Sequence, residues 1–180
     1  FAQVDQLGGL LPYVLDGGTC GVGVESTIVG FEENDVVVYR LGGLSVEDLQ
    51  LACGAGVTVR VEVVHSSNPA APGMLKSHYA PSKPLYLLPH GAALPQQSGG
   101  KSQRVGLISV LERAAGPWSV QHVLCPSGAH EDGAEAAQHL FAALRAMDRA
   151  DVDVIYAEEC LPVGLGRAVN DRLKRAAHKE

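Results

Sequence analysis

The stretch VDVIYAEECLPVGLGRAVNDRLKRAA, residues 152–177, decides the fold class. It begins with an apolar run, VDVIYAE, that is typical of a buried strand. After a glycine-containing turn, apolar residues recur at helical spacing and predict an amphipathic helix with one buried stripe. That stripe consists of Leu165, Val169, Leu173 and Ala176. A strand followed directly by a helix is the repeating unit of parallel α/β sheets.

The same alternation is found upstream. Apolar runs at residues 104–110 and 120–126 predict two more buried strands, and a helix is predicted from Glu135 to Asp148. The apolar stripe of this helix consists of Ala137, Leu140, Phe141, Leu144 and Met147. We therefore predict that residues 103–180 form a small Rossmann-like parallel α/β domain.

The preceding region has a different composition. Residues 65–102 hold six of the ten prolines and the run QQSGGKS. Proline removes a backbone donor and fixes φ, so we predict an extended linker in which only PLYLLP, residues 84–89, is strand-like. GGKS is not a phosphate-binding loop, because Pro95 stands where that motif needs its first glycine and because a strand, not a helix, follows. Linkers of this length are usually functional or disordered.

Residues 1–64 are predicted to be rich in β-structure. Strands are predicted at residues 24–31 and 36–41, and the polar turn EEND joins them into a hairpin. A short helix follows with Ser45 as its N-cap, and the alternating pattern of residues 57–64 predicts a third strand.

The first of these strands has an unusual interior. In GVGVESTIVGF, residues 21–31, consecutive polar residues interrupt the apolar pattern. Buried hydroxyls and carboxylates need partners, and an unpaired one costs about 1–3 kcal/mol. Glu25, Ser26 and Thr27 are therefore candidates for a binding site, the alternative being an exposed face at the edge of the sheet.

A second polar cluster lies in the predicted linker. AAPGMLKSHYAP, residues 70–81, places Lys76, Ser77, His78 and Tyr79 between two prolines. Tyrosine offers a stacking face and lysine a point charge, so a loop of this kind can cover an adenine or a phosphate. An ordinary linker that docks one aromatic side chain is the alternative.

Charge is unevenly distributed along the chain. The net charge is −6, and residues 1–64 account for −7, with Arg40 and Arg60 against nine acidic residues. Residues 65–102 carry +3 and residues 103–180 carry −2. An acidic first section is a poor electrostatic surface for nucleic acid.

The cysteines and the hydropathy pattern indicate the compartment. Cys20, Cys53, Cys125 and Cys160 lie far apart, without a CxxC motif or clustered histidines. This predicts neither a disulfide framework nor a metal site, and it fits a reducing cytosol. No apolar run approaches the roughly 20 residues that span a bilayer, so we expect a cytoplasmic protein without a membrane partner.

Four stretches taken together carry a family resemblance. They are LDGGTCGVGVESTIV, YRLGGLS, PAAPGMLKSHYAP and ECLPVGLGRAVNDRLKRAA, in this order. The chain resembles the two-domain threonylcarbamoyl-AMP synthases, in which a YrdC-like domain is followed by a proline-containing linker and a small Rossmann-like domain. The resemblance implies that residues 1–64 are the C-terminal part of the YrdC-like domain, that residues 65–102 are a linker acting as a lid, and that residues 103–180 are the accessory domain.

The resemblance also implies a reaction and a set of binding residues. Members condense L-threonine, bicarbonate and ATP, with Mg²⁺, into threonylcarbamoyl-AMP and pyrophosphate, and partner transferase proteins then modify tRNA. By motif, Ser26 and Thr27 would bind L-threonine, and Ser26 and Arg40 would bind ATP. Tyr79, together with His78, would close over the nucleotide. No catalytic residue and no protein ligand for a metal is assigned.

Two departures from the family pattern affect these expectations. Leu41 follows Arg40 where the family usually has proline. The family's catalytic domain also begins well before the LDGG turn and carries its Lys/Arg motif in that earlier half. We therefore expect the 180 residues on their own to have little or no synthase activity.

Two other functions are open alternatives. The first is a non-catalytic RNA- or ribosome-binding module of the YrdC-like group, which the acidic first section disfavours. The second is a carbamoyl-transfer enzyme of hydrogenase maturation, which the predicted α/β domain after HYAP disfavours because the domain order differs.

Overall fold

A computed structural model describes the chain in four segments, residues 10–18, 20–62, 80–95 and 103–177. Most of the predicted linker falls outside these segments, so its course stays a prediction. The described residues form an α/β structure with two sheets and three helices. The predicted α/β fold class is therefore confirmed.

The first sheet contains the predicted hairpin. Strands β1 (Ile28–Glu32) and β2 (Asp35–Arg40) pair antiparallel, and Glu33 adopts a φ of 52° in the turn between them. Helix α1 (Val46–Cys53) then leads into β3 (Thr58–Val61), which pairs parallel to β2. The order in the sheet is β1-β2-β3, so β2 is central. The three valines of this central strand, Val36, Val37 and Val38, are buried.

Helix α1 begins where its capping residue predicts. The Ser45 hydroxyl accepts a hydrogen bond from the Asp48 amide at 3.1 Å and donates to the Asp48 carboxylate at 2.6 Å. A serine in this position satisfies one of the free amides at a helix start. The helix ends at Gly54, which has a φ of 78°, a conformation that glycine adopts without strain.

The second sheet is parallel throughout. Its strands are β4 (Leu85–Leu88), β5 (Val105–Ser109), β6 (Val120–Val123) and β7 (Val154–Glu158), in the order β4-β7-β5-β6. Every residue of β5 is buried. The parallel sheet predicted from the strand and helix alternation is thus confirmed. One of its strands, β4, comes from the stretch predicted as linker, because β7 provides an edge with which the short PLYLLP run can pair.

Two helices pack on this second sheet. Helix α2 (Ala134–Arg149) follows β6, and helix α3 (Gly166–Ala177) follows β7. The predicted apolar stripes face inward, and their central residues, Leu140 in α2 and both Val169 and Leu173 in α3, are completely buried. These side chains and those of the strands form one hydrophobic core. None of the helices in the described residues is long and apolar enough to cross a membrane.

A buried carboxylate joins three strands at the carboxyl edge of the second sheet. Glu158 is 3% exposed, and it accepts hydrogen bonds from the amides of Gly91 at 2.6 Å and Val110 at 3.0 Å. Arg113 lies 2.9 Å from the same carboxylate. Because these groups follow β4, β5 and β7, the carboxylate fixes the strand ends relative to one another.

The first strand starts later than its sequence predicts. The pattern predicted a strand from residue 24, but β1 begins at Ile28. The preceding residues 21–27 instead cross the helices of the second sheet, and Gly23 has a φ of 83° that no extended strand contains. The polar triplet therefore lies just before the strand, in an irregular segment that we call the entry segment (residues 21–27).

Candidate functional site

The entry segment is tied to β2 by an arginine. The guanidinium of Arg40 donates to the Ser26 carbonyl from Nε at 3.1 Å and from Nη2 at 2.9 Å. Nη2 also donates to the Ser26 hydroxyl at 3.1 Å. The structure thus brings together two of the residues that the sequence singled out. It also places a positive charge directly beside a hydroxyl, an arrangement suited to an anionic group such as a phosphate.

Thr27 is fixed to the chain that follows β2. Its hydroxyl donates to the Leu44 carbonyl at 2.7 Å and accepts from the Leu44 amide at 3.0 Å. Both bonds go to Leu44, which belongs to the turn LGGL at residues 41–44. We call this turn the glycine-rich turn, and the two bonds hold it in register with the entry segment. The Thr27 hydroxyl is therefore hydrogen-bonded within the protein, and a ligand in contact with Thr27 would contact a side chain that is already fixed in position.

The glycine-rich turn allows these two segments to approach closely. A Cβ atom on Gly42 would lie 2.3 Å from the Glu25 carbonyl oxygen and 2.4 Å from the Thr27 nitrogen. Real Cβ contacts are never so short, so only glycine fits here. The Gly43 amide completes the contact by donating to the Glu25 carbonyl at 2.8 Å.

A cavity opens between the entry segment and the turn. Its volume is about 460 Å³, and its lining includes Glu25, Ser26 and Thr27 together with the aliphatic side chains of Val22 and Leu49. Small-molecule sites are typically apolar pockets with a few convergent polar groups. The lining of this cavity combines these three polar residues with aliphatic ones.

The second sheet holds the entry segment from the other side. Gln138 of α2 donates to the Gly21 carbonyl at 2.6 Å, and Val24 packs against the core of the second sheet. Gly23 lies against α2, where an added Cβ would be 2.3 Å from the carbonyl oxygen of Ala137. The segment that lines the cavity is therefore fixed between the two sheets.

Arg172 of α3 adds a charged contact. Its guanidinium donates to the Glu25 carboxylate from Nε at 3.2 Å and from Nη2 at 3.0 Å, although the two residues are 147 positions apart in the chain. The arginine is 1% exposed. Sequence reasoning missed this residue because it assigned α3 only an apolar stripe. The available signal was that Arg172 lies three residues after Val169 and four before Ala176, so helical spacing places it on the buried stripe itself.

Two predicted site residues cannot be placed. His78 and Tyr79 lie outside the described residues, as does Lys76 of the same loop. Whether they reach the cavity stays a prediction.

Buried thiols take no part in this site. Burial raises the pKa of Cys125 to about 11 and that of Cys160 to about 12, so both are neutral at physiological pH. Both lie in the core of the second sheet, away from the entry segment. In the described part of the chain, no cysteine is bonded to another.

Comparison with known families gives a match over most of the chain. Residues 44–178 match the family model described as threonylcarbamoyl-AMP synthase, C-terminal domain. The curated threonylcarbamoyl-AMP synthase of Bacillus subtilis (strain 168) is 33% identical over 177 residues, which cover 95% of this chain and 50% of the relative. The synthase of Pyrococcus abyssi (strain GE5 / Orsay) is 34% identical over 179 residues, covering 94% of this chain and 50% of the relative. The chain thus spans about half the length of the curated relatives it matches.

Solved structures give a similar result. The crystal structure of P. abyssi Sua5 complexed with L-threonine superimposes with a TM-score of 0.74 at 29% identity, covering 97% of this chain and 52% of the other. A second P. abyssi Sua5 structure, a variant in which a histidine and the adjacent tyrosine are replaced by alanine, has a TM-score of 0.67 at 30% identity. It covers 89% of this chain and 47% of the other.

Proposed function

Because this chain belongs to the threonylcarbamoyl-AMP synthase family, we propose that it forms part of an enzyme that makes threonylcarbamoyl-AMP. The substrates are L-threonine, bicarbonate and ATP, and the products are threonylcarbamoyl-AMP, pyrophosphate and water. In this reaction the threonine nitrogen bonds to the bicarbonate carbon with loss of water. An oxygen of the resulting carbamate then bonds to the α-phosphorus as the bond to pyrophosphate breaks. The product serves tRNA modification through partner transferase proteins, in the cytoplasm.

The observation that carries this proposal is the likeness to a structure that contains L-threonine. The likeness covers 97% of this chain. We assign L-threonine to the cavity that the entry segment lines, with Ser26 and Thr27 among its lining residues. L-Threonine has one short aliphatic branch and three polar groups, which suits a cavity lined by both polar and aliphatic residues.

We assign the phosphates of ATP to Arg40 and Ser26. The forked donors of a guanidinium can pair with two phosphate oxygens at once. Since Arg40 already binds Ser26, an arriving phosphate would exchange or share these bonds without a large movement of the strand. The contribution of these residues is positioning and neutralisation of charge, which are the main requirements of a reaction at phosphorus.

We assign the covering of the nucleotide to His78 and Tyr79. This is the only His-Tyr pair in the chain. The P. abyssi variant carrying two alanines at a His-Tyr pair gives the proposal its support. Tyr79→Ala in the full-length protein should raise the KM for ATP, whereas unchanged kinetics would argue against a lid.

Magnesium would enter with ATP. The described residues include no group of three or more side chains able to ligate a metal ion, and the carboxylate of Glu25 is engaged by Arg172. Mg²⁺ commonly keeps several waters and binds through phosphates and few carboxylates. We therefore propose that ATP phosphates and water provide most of its ligands, while Arg40 stabilises the remaining negative charge.

The proposal is tested by product formation. The full-length protein is incubated with ATP, Mg²⁺, L-threonine and labelled bicarbonate, and the nucleotide products are separated by chromatography and identified by mass. We expect labelled threonylcarbamoyl-AMP that requires every substrate and is not formed with L-valine, which replaces the threonine hydroxyl by a methyl group. Absence of a labelled nucleotide from a folded protein that binds ATP would refute the function.

The 180 residues alone should be nearly inactive in the same assay. Residues 1–64 carry two arginines against nine acidic residues, too few cations for a triphosphate. Full ATP–pyrophosphate exchange by this polypeptide would contradict that expectation. Salt-dependent binding of tRNA by it would instead favour the RNA-binding alternative.

A further inference from the structure

The contact between α3 and the entry segment has an unusual chemical composition. The Arg172 guanidinium is 1% exposed and is bonded to carboxylates from two different parts of the chain. Nη1 donates to Asp171 at 2.7 Å, while Nε and Nη2 donate to Glu25. A buried cation is tolerated only when it is paired and hydrogen-bonded. The position of Glu25 is therefore a condition for burying Arg172, and the reverse is also true.

The neighbouring carboxylate cannot replace Glu25 in this role. Asp171 is also bonded to Arg175, which donates from Nε and Nη2 at 3.0 Å each. It thus already divides its charge between two guanidiniums. If the entry segment moved away, Arg172 would keep a shared carboxylate and lose the one that accepts its fork.

The bonded carboxylate is adjacent to the cavity residues. Glu25 directly precedes Ser26, and its own carbonyl accepts the Gly43 amide at 2.8 Å. One residue therefore connects α3 through its side chain and the glycine-rich turn through its backbone. Because Glu25, Ser26 and Thr27 are consecutive, a shift of the Glu25 backbone displaces the backbone of the two residues that follow it.

We propose that Arg172 is a positioning residue for the L-threonine pocket, acting through Glu25. Its buried fork fixes the Glu25 carboxylate, and the backbone at Glu25 positions the adjacent Ser26 and Thr27, which line the cavity. The second sheet and its helices thereby determine the shape of a pocket that the entry segment lines. The inference rests on the proposed function, since it names L-threonine as the ligand.

The test is binding of L-threonine to variants of the full-length protein, measured by calorimetry, with steady-state kinetics alongside. Arg172→Met removes the fork and keeps a long side chain. We expect its Kd and KM for L-threonine to rise about tenfold, within the range found for residues joined in one hydrogen-bonded network. The kcat at saturating L-threonine should change by less than about threefold, because the lost interaction contributes equally to binding in the ground state and in the transition state. Arg172→Lys keeps the charge without the fork, so its Kd and KM for L-threonine should lie between those of Arg172→Met and those of the unmodified protein.

The matched control is Arg167→Met. Arg167 also lies on α3 and also binds a carboxylate, that of Glu47 in α1, but this pair is partly exposed and neither residue lines the cavity. We expect its Kd for L-threonine to stay within about twofold of the Kd of the unmodified protein, because exposed ion pairs contribute little free energy. An equal loss in both variants would overturn the inference, because general loosening between the sheets would then be sufficient.

A double-mutant cycle shows whether Arg172 acts through Glu25. Arg172→Met in a Glu25→Ala background should cause no further rise in Kd beyond about twofold, whereas additive effects would overturn the inference. If Arg172→Met fails to fold, Arg172→Lys and Glu25→Gln replace it in the same measurement. Unchanged L-threonine binding in these folded variants of an active protein refutes the inference alone. An unmodified protein that neither binds L-threonine nor forms product refutes the proposed function as well.

Discussion

Replacing Gly23 with alanine should release the entry segment from α2. Gly23 has a φ of 83°, and an added Cβ would lie 2.3 Å from the Ala137 carbonyl oxygen and 2.4 Å from the Gln138 Cα. Left-handed backbone costs a non-glycine residue about 1–2 kcal/mol. Both opposing atoms belong to a helix backbone that cannot yield like a side chain, and overpacking of this kind adds about 1–3 kcal/mol. The docked position should lose about 2–5 kcal/mol in total.

Hydrogen exchange measures this loss locally. The amides of Gly43 and Leu44 donate to the Glu25 carbonyl and the Thr27 hydroxyl, so they become free when the entry segment, no longer fixed on α2, moves away from the glycine-rich turn. At about 1.4 kcal/mol for each factor of ten, Gly23→Ala should accelerate their exchange roughly 30- to 3,000-fold. The observable is deuterium uptake of the peptide that spans these two amides in the full-length protein.

Gly18→Ala is the matched control. Gly18 has the same φ of 83°, but an added Cβ would have no heavy atom within 4 Å. This variant carries only the backbone strain of about 1–2 kcal/mol, so the acceleration should not exceed roughly 5- to 30-fold. If Gly23→Ala accelerates exchange no more than Gly18→Ala, the close contact with α2 does not hold the segment and the reasoning is refuted.

Three further perturbations test other parts of the structure. Arg40→Met removes the guanidinium that we assign to the ATP phosphates. At about 1.5–3 kcal/mol for a hydrogen bond to a charged group, the KM for ATP should rise at least tenfold, and a rise below twofold would argue against the assignment. The Arg104 guanidinium lowers the pKa of Asp153 to about 2 from 3.8, so its stabilising contribution is complete above pH 4 and is lost as the pH falls through 2. In urea unfolding, the free energy of unfolding of Asp153→Asn should fall less between pH 4 and pH 2 than that of the unmodified protein. Equal losses in the two proteins would contradict this. Iodoacetamide at pH 8 should label exposed Cys20 in the folded protein and leave Cys160, whose pKa burial raises to about 12, unlabelled until denaturation, as mass spectrometry of peptides would show.

The second sheet could be predicted from sequence because its signals are local. Each strand is a short apolar run, and each helix has a stripe at a spacing that only a helix produces. Helix α1 was equally readable, because a serine cap acts over three residues. The conformation of such elements is determined by residues that are close to one another in the sequence.

The entry segment could not be predicted in the same way. Its residues alternate well enough to suggest a strand, but their conformation is determined by contacts with Gln138 and Arg172, which are 117 and 147 residues away. A local pattern gives no information about such partners. The sequence singled out Glu25, Ser26 and Thr27, and the structure shows that Glu25 binds a residue in a helix of the other sheet.

The same separation has a consequence during protein synthesis. A ribosome adds about 5–20 residues per second, so the partner of Glu25 emerges roughly 7–30 s after Glu25 itself. Throughout that interval the guanidinium that holds Glu25 has not yet been synthesised. A pocket whose entry segment is held by α3 therefore takes its described shape only after α3 has been made. A message truncated before α3 would yield a protein that has every residue lining the pocket but lacks the contact that fixes Glu25.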